Sequence, residues 1–122
     1  MWSNCLFVAL GGGLGAVGGY LLSLIAAPWS FPVMTLLTNF LGAVVIGAVA
    51  QAAGQLPMSK SAVLFLKTGL CGGFTTFSTF SLETVELLEQ GRWAAGGGYI
   101  LASVGLCLAG VLLGRALVWK IL

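Results

Sequence analysis

Four long apolar stretches, separated by short turns, dominate this chain of 122 residues. Each stretch can cross ~30 Å of hydrocarbon, because a helix rises about 1.5 Å per residue. Two prolines lie within the first turn and prevent one helix from running through it. The pattern therefore predicts an all-α membrane protein, one domain over 1–122 with four transmembrane helices at about 4–27, 33–53, 61–89 and 94–119.

The tryptophans give an independent check on this count. Indole rings favour the boundary between membrane and water, so they mark the ends of spanning helices. All four fall at the ends of predicted helices, at Trp2, Trp29, Trp93 and Trp119.

The third stretch differs from the others, because glycines, hydroxyls, phenylalanines and a carboxylate crowd into Gly69–Glu83. On a continuous helix, Phe74, Phe77 and Phe80 would form one stripe, three residues apart. So many glycines and hydroxyls favour instead a break near 72–76. Broken backbone inside a membrane must line a cavity or hold an ion, since lipid offers it no hydrogen bonds.

Small residues recur four apart in two of the predicted helices. Gly11, Gly15 and Gly19 lie on one face of the first, and Gly110 and Gly114 on one face of the last. Such spacing lets two helices approach closely, so we interpret both sets as packing seams. A phosphate-binding loop is excluded, because no strand precedes the first set and no Lys-Ser or Lys-Thr follows it.

The composition narrows the class of function. With 59% hydrophobic and 7% charged residues, the membrane is the only solvent that fits. There is no histidine and no paired acid and base, so we predict that the protein is not an enzyme. A net charge of +2 without a basic cluster argues against nucleic acid. The three cysteines, an odd number in apolar runs, are expected to be buried thiols: Cys5, Cys71 and Cys107. The N-terminus has no signal-peptide flank, and we expect a retained helix there.

The polar groups within the apolar stretches suit the guidance of a small ion. Asn39 must face protein or water, as glue between helices or as part of a pore. Tyr99 and Ser103 lie one turn apart on the last helix. Phenylalanine ring edges carry partial positive charge and can contact an anion, although a phenylalanine stripe is more often core packing. The residues alone predict an ion pathway of undetermined sign.

The charges hardly define an orientation. Lys60, Arg115 and Lys120 share one side of the predicted membrane domain against Arg92 on the other, and Lys67 lies too far inside a helix to count. So small a bias permits insertion both ways round. Four helices are few for enclosing a pathway, so a second copy is expected to complete it.

Three motifs make the sequence similar to the Fluc (CrcB) family of bacterial fluoride channels: Gly11–Tyr20, Thr35–Gly42 and, most specifically, Gly69–Ser81. The resemblance covers the whole chain. It implies an antiparallel, dual-topology homodimer in the bacterial inner membrane, with two fluoride pathways and a structural Na⁺ at its centre. The partners that it implies are a second copy, membrane lipid and fluoride, and it implies no other protein partner.

The same resemblance implies roles for individual residues. Phe77 and Phe80 would contact fluoride with their ring edges, and Asn39 would donate its amide. The carbonyls of Gly72 and Thr75 would hold the Na⁺. The remaining pathway residues implied are Ser78, Thr79, Glu83, Tyr99 and Ser103.

One position departs from the family pattern. An arginine is expected just before the tyrosine of the first motif, and Gly19 stands there. An arginine at this position would make a vestibule positive and attract fluoride. Its absence is therefore expected to weaken the entry of the anion.

The leading interpretation is a passive fluoride channel that exports the ion and protects the cell, and two other functions are possible alternatives to it. A small dual-topology multidrug/proton antiporter needs a membrane carboxylate in its first helix, and no acidic residue precedes Glu83. A structural membrane partner without transport would not explain the hydroxyl-rich break.

Overall fold

The computed structural model describes residues 1–25 and 30–122, and this part of the chain is helical throughout, apart from short connections. The predicted end of the first helix, Pro28 and Trp29 lie outside the described residues. The helices are α1 (Trp2–Ser23), α2 (Val33–Gln55), α3 (Lys60–Val63), a π-helical segment (Leu64–Cys71), α4 (Gly72–Phe74), α5 (Phe77–Glu89) and α6 (Trp93–Ile121).

Three of the described helices, α1, α2 and α6, are long and apolar enough to cross a membrane. The remaining passage, the third along the chain, is divided. Its first part consists of α3, the π-helical segment and α4, which follow each other without interruption, and α5 continues after a bend. This arrangement confirms the all-α prediction and fits four passages, of which the third is bent.

The bend lies at Thr75 and Thr76, where the backbone is extended, with φ/ψ of −86°/157° and −148°/108°. Thr76 is the N-cap of α5, and its Oγ1 accepts the Thr79 N–H at 3.1 Å. Threonine suits this position, since its oxygen satisfies a helix N–H that lacks an intrahelical partner. The interruption thus has a local cause in the hydroxyl run after the glycines.

The predicted break separates the three phenylalanines, which would share one stripe only on a continuous helix. Phe74 ends α4, whereas Phe77 and Phe80 belong to α5 beyond the extended residues. Only the latter two form a pair, with ring centroids 5.4 Å apart. The spacing of three places side chains on one face only while the helix is continuous.

Glycines bring α1 against the third passage. A Cβ atom added at Gly15 would overlap the Leu70 carbonyl oxygen and lie 2.8 Å from the Phe74 nitrogen. Gly11 meets the backbone at Phe65 and Gly69 in the same way. The interpretation of these glycines as a packing seam is confirmed.

A second seam joins α2 to α6. Gly114 lies directly on the Val44 carbonyl, and Gly110 lies against Phe40 and Ala43. From the other side, Gly47 lies on the backbone of Val111. The close-approach pair predicted on the last helix therefore packs as expected.

The three cysteines differ in burial. Cys71 is buried and Cys107 partly buried, but Cys5 is exposed on α1. The expectation of a buried thiol is wrong for Cys5, because the outer face of a membrane helix is apolar yet uncovered by protein. Across residues 1–25 and 30–122, no disulfide joins these thiols and no group of metal-ligating side chains forms.

Candidate functional site

A cavity of about 460 Å³ opens beside the bend, between α2, the third passage and α6. It brings together six of the residues singled out from the sequence: Asn39, Gly72, Thr75, Phe77, Phe80 and Ser103. These residues come from four helices, so their proximity is a product of the fold.

A second cavity, of about 330 Å³, lies on the other side of the same bend. Gly19 and Thr79 line it, together with other small or hydroxyl-bearing residues of α1, α2 and the bend: Ala16, Ser23, Thr35, Thr38, Gly73 and Thr76. Five of the eight predicted fluoride-pathway residues therefore lie at one cavity or the other, whereas Ser78, Glu83 and Tyr99 line neither. The bend is the wall between the two cavities.

Asn39 bridges α2 to this wall. Its Oδ1 accepts the Thr76 N–H at 2.8 Å, and its Nδ2 donates to the Thr76 carbonyl at 3.3 Å. One amide side chain thus satisfies both backbone groups of an extended residue inside the membrane, where water cannot do so. The Asn39 side chain thus joins α2 to the bend. The second N–H of its amide takes no part in these two bonds.

The two hydrogen bonds between Asn39 and Thr76, which we call the Asn39 clamp, change the hydrogen bonding of α4. In a continuous helix, the Thr76 N–H would donate to the Gly72 carbonyl four residues earlier. Here that N–H is directed to Asn39, while the Thr75 N–H and hydroxyl both donate to the Cys71 carbonyl, at 3.0 and 2.8 Å. The Gly72 carbonyl is left without its helical donor, and Gly72 is one of the residues that line the larger cavity.

Phe77 and Phe80 both line the larger cavity, but they differ in burial. The Phe80 side chain is 9% exposed, whereas Phe77 is 79% exposed. The Phe80 ring packs between Phe77 and Tyr99, whose ring centroid lies 5.0 Å away. Phe80 is thus packed between two aromatic rings, whereas the ring of Phe77 packs on Phe80 and is otherwise largely exposed.

Tyr99 and Glu83 form a pair outside both cavities. The Tyr99 hydroxyl donates to Glu83 Oε1 at 3.1 Å, and Tyr99 is fully buried. Its phenol is therefore engaged by a carboxylate in this conformation. The more distal Glu86 and Glu89 are exposed, as expected for the end of the passage.

Hydroxyls gather at the start of α5. Thr76 Oγ1 donates to Thr79 Oγ1 at 3.0 Å and lies 3.3 Å from Ser78 Oγ. Thr76 was not among the residues singled out, yet it lines both cavities and receives the Asn39 clamp. A threonine followed three residues later by another polar residue, after a glycine run, is a helix-start signal that could have identified it.

Ser103 differs from these hydroxyls. It is 7% exposed, lines the larger cavity, and its Oγ has no hydrogen-bond partner within the described residues. A buried hydroxyl without a partner is costly, so it is most often found where a ligand or water completes it.

Asn39→Ala should destabilise the bend, because both backbone groups of Thr76 lose their partner. We expect the free energy of unfolding in detergent to fall by about 1–3 kcal/mol, the cost of an unsatisfied buried group. Asn4→Ala is the matched control, since Asn4 accepts only one long bond of 3.4 Å from Ser61. Equal losses in the two variants, measured by thermal denaturation, would contradict the clamp.

Comparison with known proteins gives a consistent result. The family model "CrcB-like protein, Camphor Resistance (CrcB)" matches residues 6–115. A Ruminiclostridium cellulolyticum protein is 44% identical over 93% of this chain and 91% of its own length. A Roseiflexus protein is 47% identical over 91% and 93%, and a Shewanella frigidimarina protein 46% over 97% and 98%. Each is named "Fluoride-specific ion channel FluC". With its bent third passage and these relatives along nearly its whole length, the chain belongs to the CrcB family.

Proposed function

We propose that this protein is a passive, fluoride-selective ion channel. The observation that carries the proposal is the pairing of Ser103 and Phe80 at one cavity beside the bend. The unpartnered Ser103 hydroxyl can donate to a small anion, and an aromatic ring edge offers partial positive charge without a full cation. Fluoride, which is small and a strong hydrogen-bond acceptor, fits this combination, and the names of the relatives point to the same ion.

The transport is passive export. Hydrogen fluoride crosses membranes as a weak acid and dissociates in the cytoplasm, so a negative membrane potential drives the anion out through any selective route. The sequence carries no ATP-binding motif. The relatives are named as channels and not as enzymes, in agreement with the prediction that the chain performs no catalysis. The cellular role is fluoride resistance at the bacterial inner membrane.

Two copies inserted in opposite directions would complete the pathways. In one chain the larger cavity is open, and Phe77 projects from it with 79% of its surface exposed. The weak asymmetry of lysine and arginine supports insertion both ways round. An antiparallel homodimer would contain two such cavities and hence two fluoride pathways.

A Na⁺ ion at the centre of the dimer fits the chemistry of the bend. The Gly72 carbonyl has lost its helical donor to the Asn39 clamp, and hard cations prefer oxygen ligands such as carbonyls. Gly72 and Thr75 of each copy would supply these oxygens. The ion would take the place of the missing N–H donor at the Gly72 carbonyl.

Ion efflux from liposomes tests the proposal. Purified protein should release fluoride rapidly, as read by a fluoride electrode, and should release no chloride under the same gradient. Replacing Na⁺ by a large organic cation during purification should reduce the fluoride efflux if the central ion is structural. Efflux of both anions, or of neither, would overturn the proposed selectivity.

The alternative, a multidrug/proton antiporter, finds no support in the site. Such a protein must release and rebind a proton on a membrane carboxylate. Glu83 is the first acidic residue of the chain, and it accepts the Tyr99 hydroxyl near the end of the passage.

Gly19→Arg should raise fluoride efflux, since it adds a positive charge at the smaller cavity. The structure adds a steric condition, because a Cβ atom at position 19 would lie 3.0 Å from the Phe74 carbonyl oxygen. Gly19→Ala, which adds the Cβ without the charge, is the matched control. We expect efflux through the arginine variant to exceed that through the alanine variant, most at low ionic strength. An arginine variant no faster than the alanine variant at low salt would show that charge at this cavity does not limit entry.

A further inference from the structure

Among the described residues that line the two cavities, Lys67 alone is charged, and it lies on the wall of the larger cavity. The bend, Phe80 and Ser103 belong to the same wall, and no carboxylate does. Its side chain is exposed in this chain. The sequence alone left Lys67 unassigned, because it lies too deep in a helix to count toward orientation.

The packing of α1 gives the depth of Lys67. Gly69, two residues further on, lies against Gly11 and Gly12, at the middle of α1 (Trp2–Ser23). Since α1 has the length of a full membrane crossing, Lys67 lies within the hydrocarbon layer. An ionisable side chain at this depth faces a partner or a water-filled cavity and marks an ion pathway by default.

The π-helical segment directs Lys67 to the cavity. The Gly72 N–H bonds to the Lys67 carbonyl five residues earlier, a π-type bond that widens the turn. Lys67, Cys71 and Gly72, four and five residues apart, consequently line the same cavity. The widened turn thus keeps Lys67 on the face of the segment that also carries Gly72.

We propose that Lys67 is the cationic residue of the anion pathway, which makes the larger cavity positive and favours the entry of a small hydrated anion over a cation. This role rests on the proposed channel function. A low-dielectric wall strengthens the field of a single charge in such a cavity, so one lysine suffices.

Fluoride efflux gives the first test. We expect Lys67→Gln to lower efflux about tenfold at low ionic strength, and the deficit to shrink near 0.1 M salt, where the screening length falls to about 10 Å. Lys67→Arg keeps the charge and should keep most of the efflux. Lys60→Gln is the matched control, because Lys60 is exposed at the start of α3 and lines neither cavity. A Lys67→Gln deficit that is equal at low and high salt would assign Lys67 a purely structural role.

A second readout does not depend on fluoride transport. Cys107 lines the same cavity, and Cys5 is exposed on α1 outside both cavities. The quantity to measure is the ratio of two labelling rates at Cys107, that of a negatively charged methanethiosulfonate divided by that of a positively charged one. This ratio should be higher in the unmodified protein than in Lys67→Gln. The ratio at Cys5 should be the same in both proteins, as followed by peptide mass spectrometry.

The two readouts separate the possible failures. If the unmodified protein passes no fluoride but the Cys107 ratio depends on Lys67, the channel proposal fails and the positive cavity stands. An unchanged Cys107 ratio, or a Cys107 that reacts with neither reagent, would overturn the role of Lys67 even in a protein that conducts fluoride.

Discussion

Phe80→Ile should lower fluoride efflux by up to about tenfold while the protein remains folded. Phe80 is 9% exposed, lines the larger cavity, and is held between Phe77 and Tyr99. Isoleucine fills a similar apolar space but has no ring edge to offer an anion. An aromatic edge contact is worth up to about 1.5 kcal/mol, and about 1.4 kcal/mol corresponds to a tenfold change.

Phe31→Ile controls for the loss of an aromatic partner alone. Phe31 also packs on Tyr99, edge to face with ring centroids 5.3 Å apart, but it does not line the larger cavity. Both variants remove one ring from the same cluster and should show similar thermal stability in detergent. If Phe31→Ile reduces fluoride efflux as much as Phe80→Ile, the effect belongs to packing around Tyr99 and Phe80 has no role in conduction.

Gly15→Val should prevent α1 from seating on the third passage. The first added carbon already overlaps the Leu70 carbonyl, and this obstacle is backbone, which cannot rotate away as a side chain can. We expect the free energy of unfolding to fall by about 3 kcal/mol, the upper end of the cost of overpacking a core. Thermal unfolding in detergent, followed by size-exclusion chromatography, measures the change.

Gly13→Val is the matched control on the same helix. A Cβ atom at Gly13 meets nothing within 4 Å, and both substitutions change the intrinsic helix propensity by the same amount. Gly13→Val should therefore leave the protein folded and monodisperse. Equal destabilisation of the two variants would mean that the loss does not arise from the contact of α1 with Leu70.

The pattern of apolar and polar residues was sufficient to predict the membrane, the all-α class and an interrupted third passage. These properties depend on neighbours along the chain: the length of an apolar run, the glycines before Phe74 and the hydroxyls after it. Threonine at position 76 begins a helix because of its own side chain. The close approaches at Gly15 and Gly114 were equally readable, since a spacing of four places small residues on one helix face.

The same periodicity does not extend across the predicted break. A stripe from Phe74 to Phe80 needs one continuous helix, and two extended residues at the bend separate its members. The burial of Cys5, in contrast, was misjudged. An apolar run does not distinguish a side chain that faces protein from one that faces lipid.

The sequence by itself determined that this chain belongs in a membrane, how often it crosses and where its third passage bends. Only the tertiary structure decided that Asn39 of α2 clamps Thr76, that Tyr99 bonds Glu83, and that the bend separates two cavities. It also decided that Lys67 shares one of these cavities with Phe80 and Ser103. The physical reason is that hydropathy and propensity act between near neighbours, whereas these contacts depend on how closely glycine seams let distant helices approach.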